Sequence, residues 1–287
     1  MKVYQDLVEY VLKNGVRKSN RTGVDTLSCF GYFYKISLKE GYPLLTTKKM
    51  YFNSMLRELI WYFSGEPHIR SLREYTKIWD DWADGEGNLQ TAYGRFWRRF
   101  PVPESGYPGE NWGTRWIHRD QETGQLVFDQ IRYLLDTLRE IRKNPETPNL
   151  RRMVVSAWHP GNAAESLLPP CHYSFALNVT GNTLNLHLTQ RSADIALGVP
   201  FNIACYSLML LIFAREAGLE PGEFGHTLID AHIYENHIDG LKEQLTREPY
   251  PLPRVRIADK PLDDLRFEDV VLEDYRCHPL IKFPVAV

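Results

Sequence analysis

Apolar residues recur at helical spacing near the start of the chain. Val3, Leu7, Tyr10 and Val11 fall on one face of a helix, and Gly15 follows them. Glycine commonly ends a helix, so the pattern predicts a first amphipathic helix that stops there.

Three further segments have the same periodicity. Residues 54–64 and 131–141 each carry one apolar helical face. The longest segment begins near Pro200, a residue suited to the first turn of a helix, and runs up to Gly218. Because this segment is apolar on most faces, we expect it to be the central buried helix.

Alternating apolar residues predict β-strands. Residues 26–38 and 153–158 have this pattern. The alternating segments 173–179 and 183–190 flank Thr180-Gly181-Asn182, which predicts a hairpin. Further strands are predicted at 224–230, 253–258 and 268–273.

These elements predict an α/β fold of the α+β type, with a large twisted mixed sheet packed by helices. A chain of 287 residues with 43% hydrophobic content can build a sizeable core. No composition shift divides it, so we expect a single domain over 1–287. Residues 98–126, rich in Gly, Pro and charge, predict an extended loop or insertion.

Composition narrows the classes of function. The net charge of −2 argues against non-specific nucleic-acid binding, which needs a basic field, but a small phosphorylated ligand needs only a few arginines. The four cysteines lack zinc or C-x-x-C spacing, which predicts no metal site and a reducing, cytoplasmic environment. The longest apolar stretch, 203–214, is too short for a membrane span, and no apolar signal region opens the chain.

The strongest chemical motif is Leu168-Pro169-Pro170-Cys171-His172. Two prolines keep the approach to the cysteine extended, and a strand follows at once. A thiol fixed at a strand edge can be presented to a pocket, and a cationic neighbour would lower its pKa. The same motif also fits a buried structural cysteine beside a turn.

A second group of polar residues lies between the hairpin and the central helix. Arg191 and Ser192 suit a phosphate, since they offer a bidentate cation and a hydroxyl. Asp194 can accept from heterocycle N–H groups, and Asn202 can match the N3–H and O4 of uracil. The alternative is a surface arginine, a helix cap and a structural asparagine.

Other candidates have weaker signals. Arg151 and Arg152 precede a strand and fit either a second phosphate clamp or an ion-pair site, and Arg21 is similar. His232 and Tyr234 share one face of a strand, where they suit either a sugar hydroxyl or a half-buried sheet surface.

The helix at 54–64 carries Glu58 on an apolar face beside Trp61. Burial should raise the pKa of this carboxyl and suit it to acid–base work, unless it only pairs with a neighbouring cation. Trp79 and Trp82 suit either the wall of a flat aromatic ligand site or the core.

Taken in order, these segments resemble the folate-dependent thymidylate synthase family, from Arg21-Thr22-Gly23 to the C-terminal Val287. The most specific stretches are Pro170-Cys171-His172, Gln190-Arg191-Ser192-Ala193-Asp194, Gly198-Val199-Pro200-Phe201-Asn202-Ile203 and Asp230-Ala231-His232-Ile233-Tyr234.

The resemblance implies reductive methylation of dUMP to dTMP, with 5,10-methylenetetrahydrofolate giving carbon and hydride and leaving as dihydrofolate. It implies that Cys171 adds to C6 of the uracil. It further implies that Arg21, Arg191 and Ser192 hold the phosphate, and that Arg151 and Arg152 reach it from the partner in a homodimer.

The remaining roles follow by the same likeness. Asn202 would read the uracil edge, and His232 and Tyr234 would bind the ribose 3′-hydroxyl. Glu58, helped by Tyr93 and His172, would manage water and proton transfer near O4, while Val287 would close over the ligands. Contacts to the folate are implied for Ile78, Trp79, Trp82, Asp194, Leu197, Gly198 and Phe201.

Four positions depart from the family pattern. Ala176 and Phe96 stand where glutamine is usual, Ile229 where glycine is usual, and His159 where asparagine is usual. These changes surround the implied pocket and remove no group assigned to bond-making.

Two rival functions remain. A pyrimidine nucleotide hydroxymethylase would use the same Cys171 and folate, but water would replace hydride. A cytosine-specific member should carry a carboxylate at Asn202, and Trp79, by analogy, shields the intermediate from water. A silent paralogue that only binds nucleotide should have lost the nucleophile or the phosphate arginines, and this chain retains both.

Overall fold

The computed structural model describes residues 1–103, 115–144 and 151–285. Its helices are α1 Lys2–Asn14, α2 Phe52–Ser64, α3 Arg70–Arg73, α4 Tyr93–Arg98, α5 Gln130–Lys143, α6 Pro160–Glu165, α7 Gly198–Ala217 and α8 Ile238–Leu245. Its strands are β1 Val16–Lys18, β2 Thr26–Ser37, β3 Phe100–Pro101, β4 Ile117–Arg119, β5 Leu126–Phe128, β6 Val154–Ser156, β7 Ser174–Thr180, β8 Thr183–Gln190, β9 Ala193–Asp194, β10 Glu220–Tyr234, β11 Arg254–Ile257 and β12 Val270–Glu273.

The four predicted helices are confirmed as α1, α2, α5 and α7. Helix α5 begins after Asp129, whose side chain accepts a hydrogen bond from the N–H of Arg132 at 2.9 Å and caps the helix. Helix α7 ends at Gly218, where φ is 65°, a left-handed conformation that glycine adopts without steric cost.

The large sheet has the order β1-β2-β10-β8-β7-β6, and β9 also pairs with β10. Strand β10 is antiparallel to β2 and parallel to β8, which confirms the predicted mixed sheet. Strands β7 and β8 form the predicted antiparallel hairpin.

Helix α7 packs against β8 and β10 on one face of this sheet. Leu184, Leu186 and Leu188 alternate along β8 and are buried on that face, each stabilising the fold by about 2 kcal/mol relative to exposure. The helix is long and apolar enough for a membrane span, but 78% of its most apolar 18-residue stretch is buried in the protein. It is therefore the buried core helix of this fold.

The strand that runs parallel to β10 is divided into β8 and β9, and the site lies where these two strands meet. Gln190 at the end of β8 pairs with Leu228, and Ala193 at the start of β9 pairs with Ala231. Arg191 and Ser192 lie between these two pairings. Their backbone stays beside β10, since the Asp230 N–H donates to the Arg191 carbonyl oxygen at 3.3 Å, and both side chains line a cavity.

Two regions differ from the sequence-based expectation. Strands β11 and β12 form a separate two-stranded sheet instead of extending the large one. The segment 98–126, expected to be an extended loop, contributes β3 and β4 to a three-stranded sheet of order β3-β5-β4. Strands of two or three residues carry too little alternation to be predicted.

Candidate active site

A cavity of about 730 Å³ lies beside the break between β8 and β9, at the start of α7. It brings together most of the residues that the sequence singles out. These are Arg21, Glu58, Ile78, Trp79, Trp82, Tyr93, Cys171, His172, Arg191, Ser192, Asp194, Leu197, Gly198, Phe201, Asn202, His232 and Tyr234.

Two expected residues, Arg151 and Arg152, are not part of the described lining. Arg151 and Arg152 are exposed and lie outside the described walls of the cavity. Val287 lies outside the described residues, although the nearby Val285 lines the cavity.

Arg191 holds the segment that carries Cys171. Its guanidinium donates to the carbonyl oxygens of Pro169 at 2.6 Å and Pro170 at 2.9 Å. Its Nη2 also lies 3.8 Å from the Cys171 Sγ. The two carbonyls fix the cation beside the sulfur, where it stabilises a thiolate.

The pKa of the Cys171 thiol is nevertheless raised. Burial is the largest cause, and the charges of Arg191 and Arg21 oppose it. Desolvation penalises the thiolate more than two partly screened cations favour it. The thiol is therefore mainly protonated near neutral pH.

His172 does not provide the cationic neighbour that the sequence suggests. Its ring stacks on Tyr93 at 3.8 Å, and its Nδ1 lies 2.7 Å from the hydroxyl oxygen of Tyr206. Burial lowers the pKa of His172 to about 3, so the ring is neutral. The Tyr93 hydroxyl accepts a hydrogen bond from the Cys171 N–H at 2.7 Å and fixes the nucleophile's backbone.

Glu58 behaves as expected from its position on α2. Its Oε1 accepts a hydrogen bond from Trp79 Nε1 at 2.7 Å. Burial raises the pKa of this carboxyl to about 7, although hydrogen bonds from Trp79 and Tyr62 oppose the shift. Both protonation states are thus accessible near neutral pH, which suits general acid–base chemistry.

One end of the cavity is polar. His232 Nδ1 lies 3.3 Å from Asp230 Oδ1, and the His232 ring packs edge-on against Tyr234 at 5.3 Å. Asp230 also pairs with Lys18 at 2.5 Å, and these contacts hold its pKa well below the usual range. Asp230 therefore remains a fixed negative charge that orients His232.

Asn202 lies on α7 and is 8% exposed. Its Nδ2 donates to Gln190 Oε1 at 3.4 Å. Asp194 lines the same cavity, and its Oδ1 accepts from the N–H groups of Ala196 at 2.9 Å and Leu197 at 3.2 Å. Asp194 thus shapes the turn into α7 and also lines the cavity.

Another part of the lining is aromatic and apolar. Trp79 and Trp82 meet edge-on with ring centroids 5.8 Å apart. Leu197 and Phe201, from the turn before α7 and its first turns, line the same cavity. Flat apolar surfaces of this size suit a fused heterocycle or a benzoyl ring, so the residues fit a folate.

Two of the departures from the family pattern contact each other. Phe96 stacks on His159 with ring centroids 6.0 Å apart. Ala176 pairs with His187, and His187 with Gly225, four residues along β10 from Ile229. Four residues of strand span about 13 Å, so the other two departures do not repack together.

Sequence reasoning missed several residues of this lining, among them Asp230 and Gln190. Asp230 lines the cavity and precedes His232 by two, so strand alternation places both on one face. Gln190 is 3% exposed, and its role depends on partners from distant parts of the chain, which no local pattern shows. Among the described residues, no cluster of three or more His, Cys, Asp or Glu side chains could hold a metal ion.

Comparison with known proteins adds two findings. The family model described as thymidylate synthase matches residues 2–287. A curated thymidylate synthase of Haloferax volcanii is 48% identical over an alignment of 337 residues, covering 98% of this chain and 95% of the relative.

Proposed function

Because the chain belongs to the thymidylate synthase family, we propose that its cavity is the site where Cys171 attacks C6 of dUMP. The protein is a folate-dependent methyltransferase that forms dTMP from dUMP. The observation that carries the proposal is the Cys171 Sγ, fixed 3.8 Å from Arg191 Nη2 in a cavity lined by candidate base-reading and phosphate-binding side chains.

Phosphate binding is assigned to Arg21, Arg191 and Ser192. All three line the cavity, and Arg191 is already immobilised by two backbone carbonyls. A guanidinium held in place loses little side-chain entropy when an anion binds. His232 and Tyr234, two residues apart on one face of β10, receive the ribose 3′-hydroxyl.

Base reading is assigned to Asn202, since one amide offers a donor to O4 and an acceptor to N3–H. Glu58 exchanges protons with water near O4, because its pKa of about 7 allows both states. Tyr93 and the neutral His172 position this region through their stacked rings.

The folate is assigned to the aromatic wall. When bound, 5,10-methylenetetrahydrofolate supplies the one-carbon unit and the hydride. Ile78, Trp79, Trp82, Leu197, Gly198 and Phe201 offer it surface, and Asp194 offers a carboxylate oxygen. Val285 lines the cavity, and His237 Nε2 lies 2.7 Å from the Pro284 carbonyl oxygen. This anchor supports a role for Val287 in excluding water.

A homodimer is assigned because Arg151 and Arg152 are exposed, away from their own cavity. Phe33 is 54% exposed and Val154 is 52% exposed on the sheet face opposite α7. Apolar side chains on an open sheet favour association with a second copy. The reducing environment suggested by the free cysteines supports a cytoplasmic location.

The hydroxymethylase alternative is not favoured by the comparisons. The Cys171 assignment is tested with 5-fluoro-dUMP and methylenetetrahydrofolate, followed by peptide mass spectrometry. We expect a covalent ternary adduct on the peptide that contains Cys171. An unmodified Cys171 peptide, or an adduct on Cys29, Cys205 or Cys277, would overturn the assignment.

A further inference from the structure

A line of hydrogen bonds connects the buried side of the sheet with Asn202. The Tyr34 hydroxyl oxygen lies 2.7 Å from His226 Nδ1, and His226 Nε2 lies 3.0 Å from Gln190 Oε1. The same Oε1 accepts from Asn202 Nδ2 at 3.4 Å. His226 is fully buried, and of the described residues neither it nor Tyr34 lines the cavity.

The donor and acceptor of each hydrogen bond in this line can be assigned by starting from the Gln190 amide. Gln190 Nε2 donates to the Ser192 carbonyl at 2.9 Å, and a carbonyl can only accept. The oxygen of the Gln190 amide must then face His226, so His226 Nε2 carries the hydrogen. Burial lowers the pKa of His226 well below its usual value, so Nδ1 is unprotonated and accepts from Tyr34.

This assignment restricts Asn202 to one orientation. The opposite amide orientation would place Asn202 Oδ1 against Gln190 Oε1, with no hydrogen between two buried acceptors. Uracil presents an N3–H donor and an O4 acceptor, whereas cytosine presents N3 as an acceptor and N4–H₂ as a donor. Rotating the amide by half a turn exchanges which base it matches.

We propose that Tyr34 and His226, acting through Gln190, are positioning residues that hold the Asn202 amide in the orientation that accepts uracil and rejects cytosine. The proposal rests on the assigned role of Asn202 in base reading. It extends specificity to side chains from β2 and β10 that do not contact the nucleotide.

The first test is Tyr34→Phe, which removes one hydroxyl and keeps the ring. Equilibrium binding of dUMP and dCMP is measured together with KM and kcat for dUMP. We expect the preference for dUMP over dCMP to fall about threefold to tenfold, as for loss of one buried hydrogen bond. The loss should fall on KM, since base alignment is affected before the chemical step.

A matched control is Tyr42→Phe. Tyr42 is also buried, and its hydroxyl donates to the Ala204 carbonyl of α7 at 2.8 Å. Tyr42→Phe therefore also removes one buried hydroxyl hydrogen bond. The bond it removes is made to α7, the helix that carries Asn202, and does not involve Gln190. We expect its dUMP-to-dCMP ratio to equal that of the wild type.

Two substitutions at His226 test the assigned donor. His226→Leu removes the N–H that faces Gln190, and its base preference should fall further than that of Tyr34→Phe. His226→Gln keeps an N–H near the position of Nε2 and should restore most of the preference. If His226→Leu does not fold, Tyr34→Phe and His226→Gln still decide the matter.

An unchanged dUMP-to-dCMP ratio in Tyr34→Phe would overturn the proposal, as would an equal change in Tyr42→Phe. Asn202→Asp separates this failure from failure of the base-reading role. If Asn202→Asp shifts preference toward cytosine while Tyr34→Phe changes nothing, Asn202 reads the base without this positioning line. If Asn202→Asp also changes nothing, the base-reading role itself is wrong.

Discussion

At the scale of single residues, burial and charge act on the Cys171 thiol in opposite directions. Burial raises its pKa, while Arg191 and Arg21 lower it. A protonated thiol is a poor nucleophile and resists adventitious oxidation. The same arginines are assigned to the phosphate, so nucleotide binding and thiol activation depend on shared cations.

Cys171→Ser should abolish turnover and leave the fold intact. Serine fills nearly the same space, but its hydroxyl is far less nucleophilic than a thiolate. Steady-state dTMP formation should fall by at least about 10³-fold, while thermal unfolding stays close to that of the wild type. Turnover near the wild-type rate would remove Cys171 from the mechanism.

The raised pKa of Glu58 predicts that the stability of the protein depends on pH. Its pKa rises from 4.5 in a solvated chain to about 7 in the folded protein, so folding favours the protonated form. The stability contributed by that form is full below pH 4.5 and is lost as pH rises through about 7.

Glu58→Gln should remove this pH dependence. The free energy of unfolding of the wild type, relative to the variant, should fall by about 3 kcal/mol from pH 4.5 to above pH 7. Urea denaturation at a series of pH values measures it. Glu9→Gln, at an exposed position on α1, is the control. A difference curve that stays flat over this range would contradict the burial argument.

At the scale of elements, the close approach of α4 to α2 places Tyr93. A Cβ added to Gly94 would lie 2.1 Å from the Tyr62 carbonyl oxygen, which no real contact allows. The rings of Tyr62 and Tyr93 lie 5.4 Å apart across the same contact. Only glycine lets the two helices approach closely enough to hold Tyr93 under the Cys171 segment.

Gly94→Ala should therefore destabilise the protein by about 1–3 kcal/mol or more, because α4 must move away from α2. Urea denaturation measures the loss, and turnover should fall because Tyr93 shifts. Gly85→Ala is the matched control, since a Cβ there meets no atom within 4 Å. Equal stability of the two variants would show that the contact imposes no constraint.

The long elements could be predicted from the sequence, because each repeats its periodicity over several turns or residue pairs. Helix α4 could not, since six residues carry too little pattern, and yet Tyr93 lies in it. The break between β8 and β9 depends on two pairings with β10, more than thirty residues later. The neutral state of His172 depends on burial by Tyr93 and Tyr206. The sequence Cys171-His172 alone does not reveal these contacts.

At the scale of the whole molecule, the assigned dimer makes each site depend on two chains. Arg151 and Arg152 are exposed next to β6, the edge strand of the large sheet. If Arg151 and Arg152 complete the phosphate site of the partner subunit, a substitution of these arginines inactivates the partner's site. A substitution of Cys171 inactivates the site of its own chain. Two inactive variants can then complement each other.

Mixing Cys171→Ser with Arg151→Ala/Arg152→Ala, followed by subunit exchange, should restore activity. Random exchange makes half of the dimers mixed, each with one complete site, so about a quarter of all sites should turn over. Cys171→Ser mixed with Asn202→Asp is the control. Each of these substitutions affects the cavity of its own chain, so neither site of a mixed dimer is complete. No recovery in the first mixture would contradict sharing of the clamp.

Product analysis tests the central claim, reductive methylation through the Cys171 site, most directly. The protein is incubated with dUMP and 5,10-methylenetetrahydrofolate, and nucleotide and folate products are identified by mass spectrometry. We expect dTMP together with an equal amount of dihydrofolate. Hydroxymethyl-dUMP with tetrahydrofolate would contradict this account, because water and not hydride would then have reached the product.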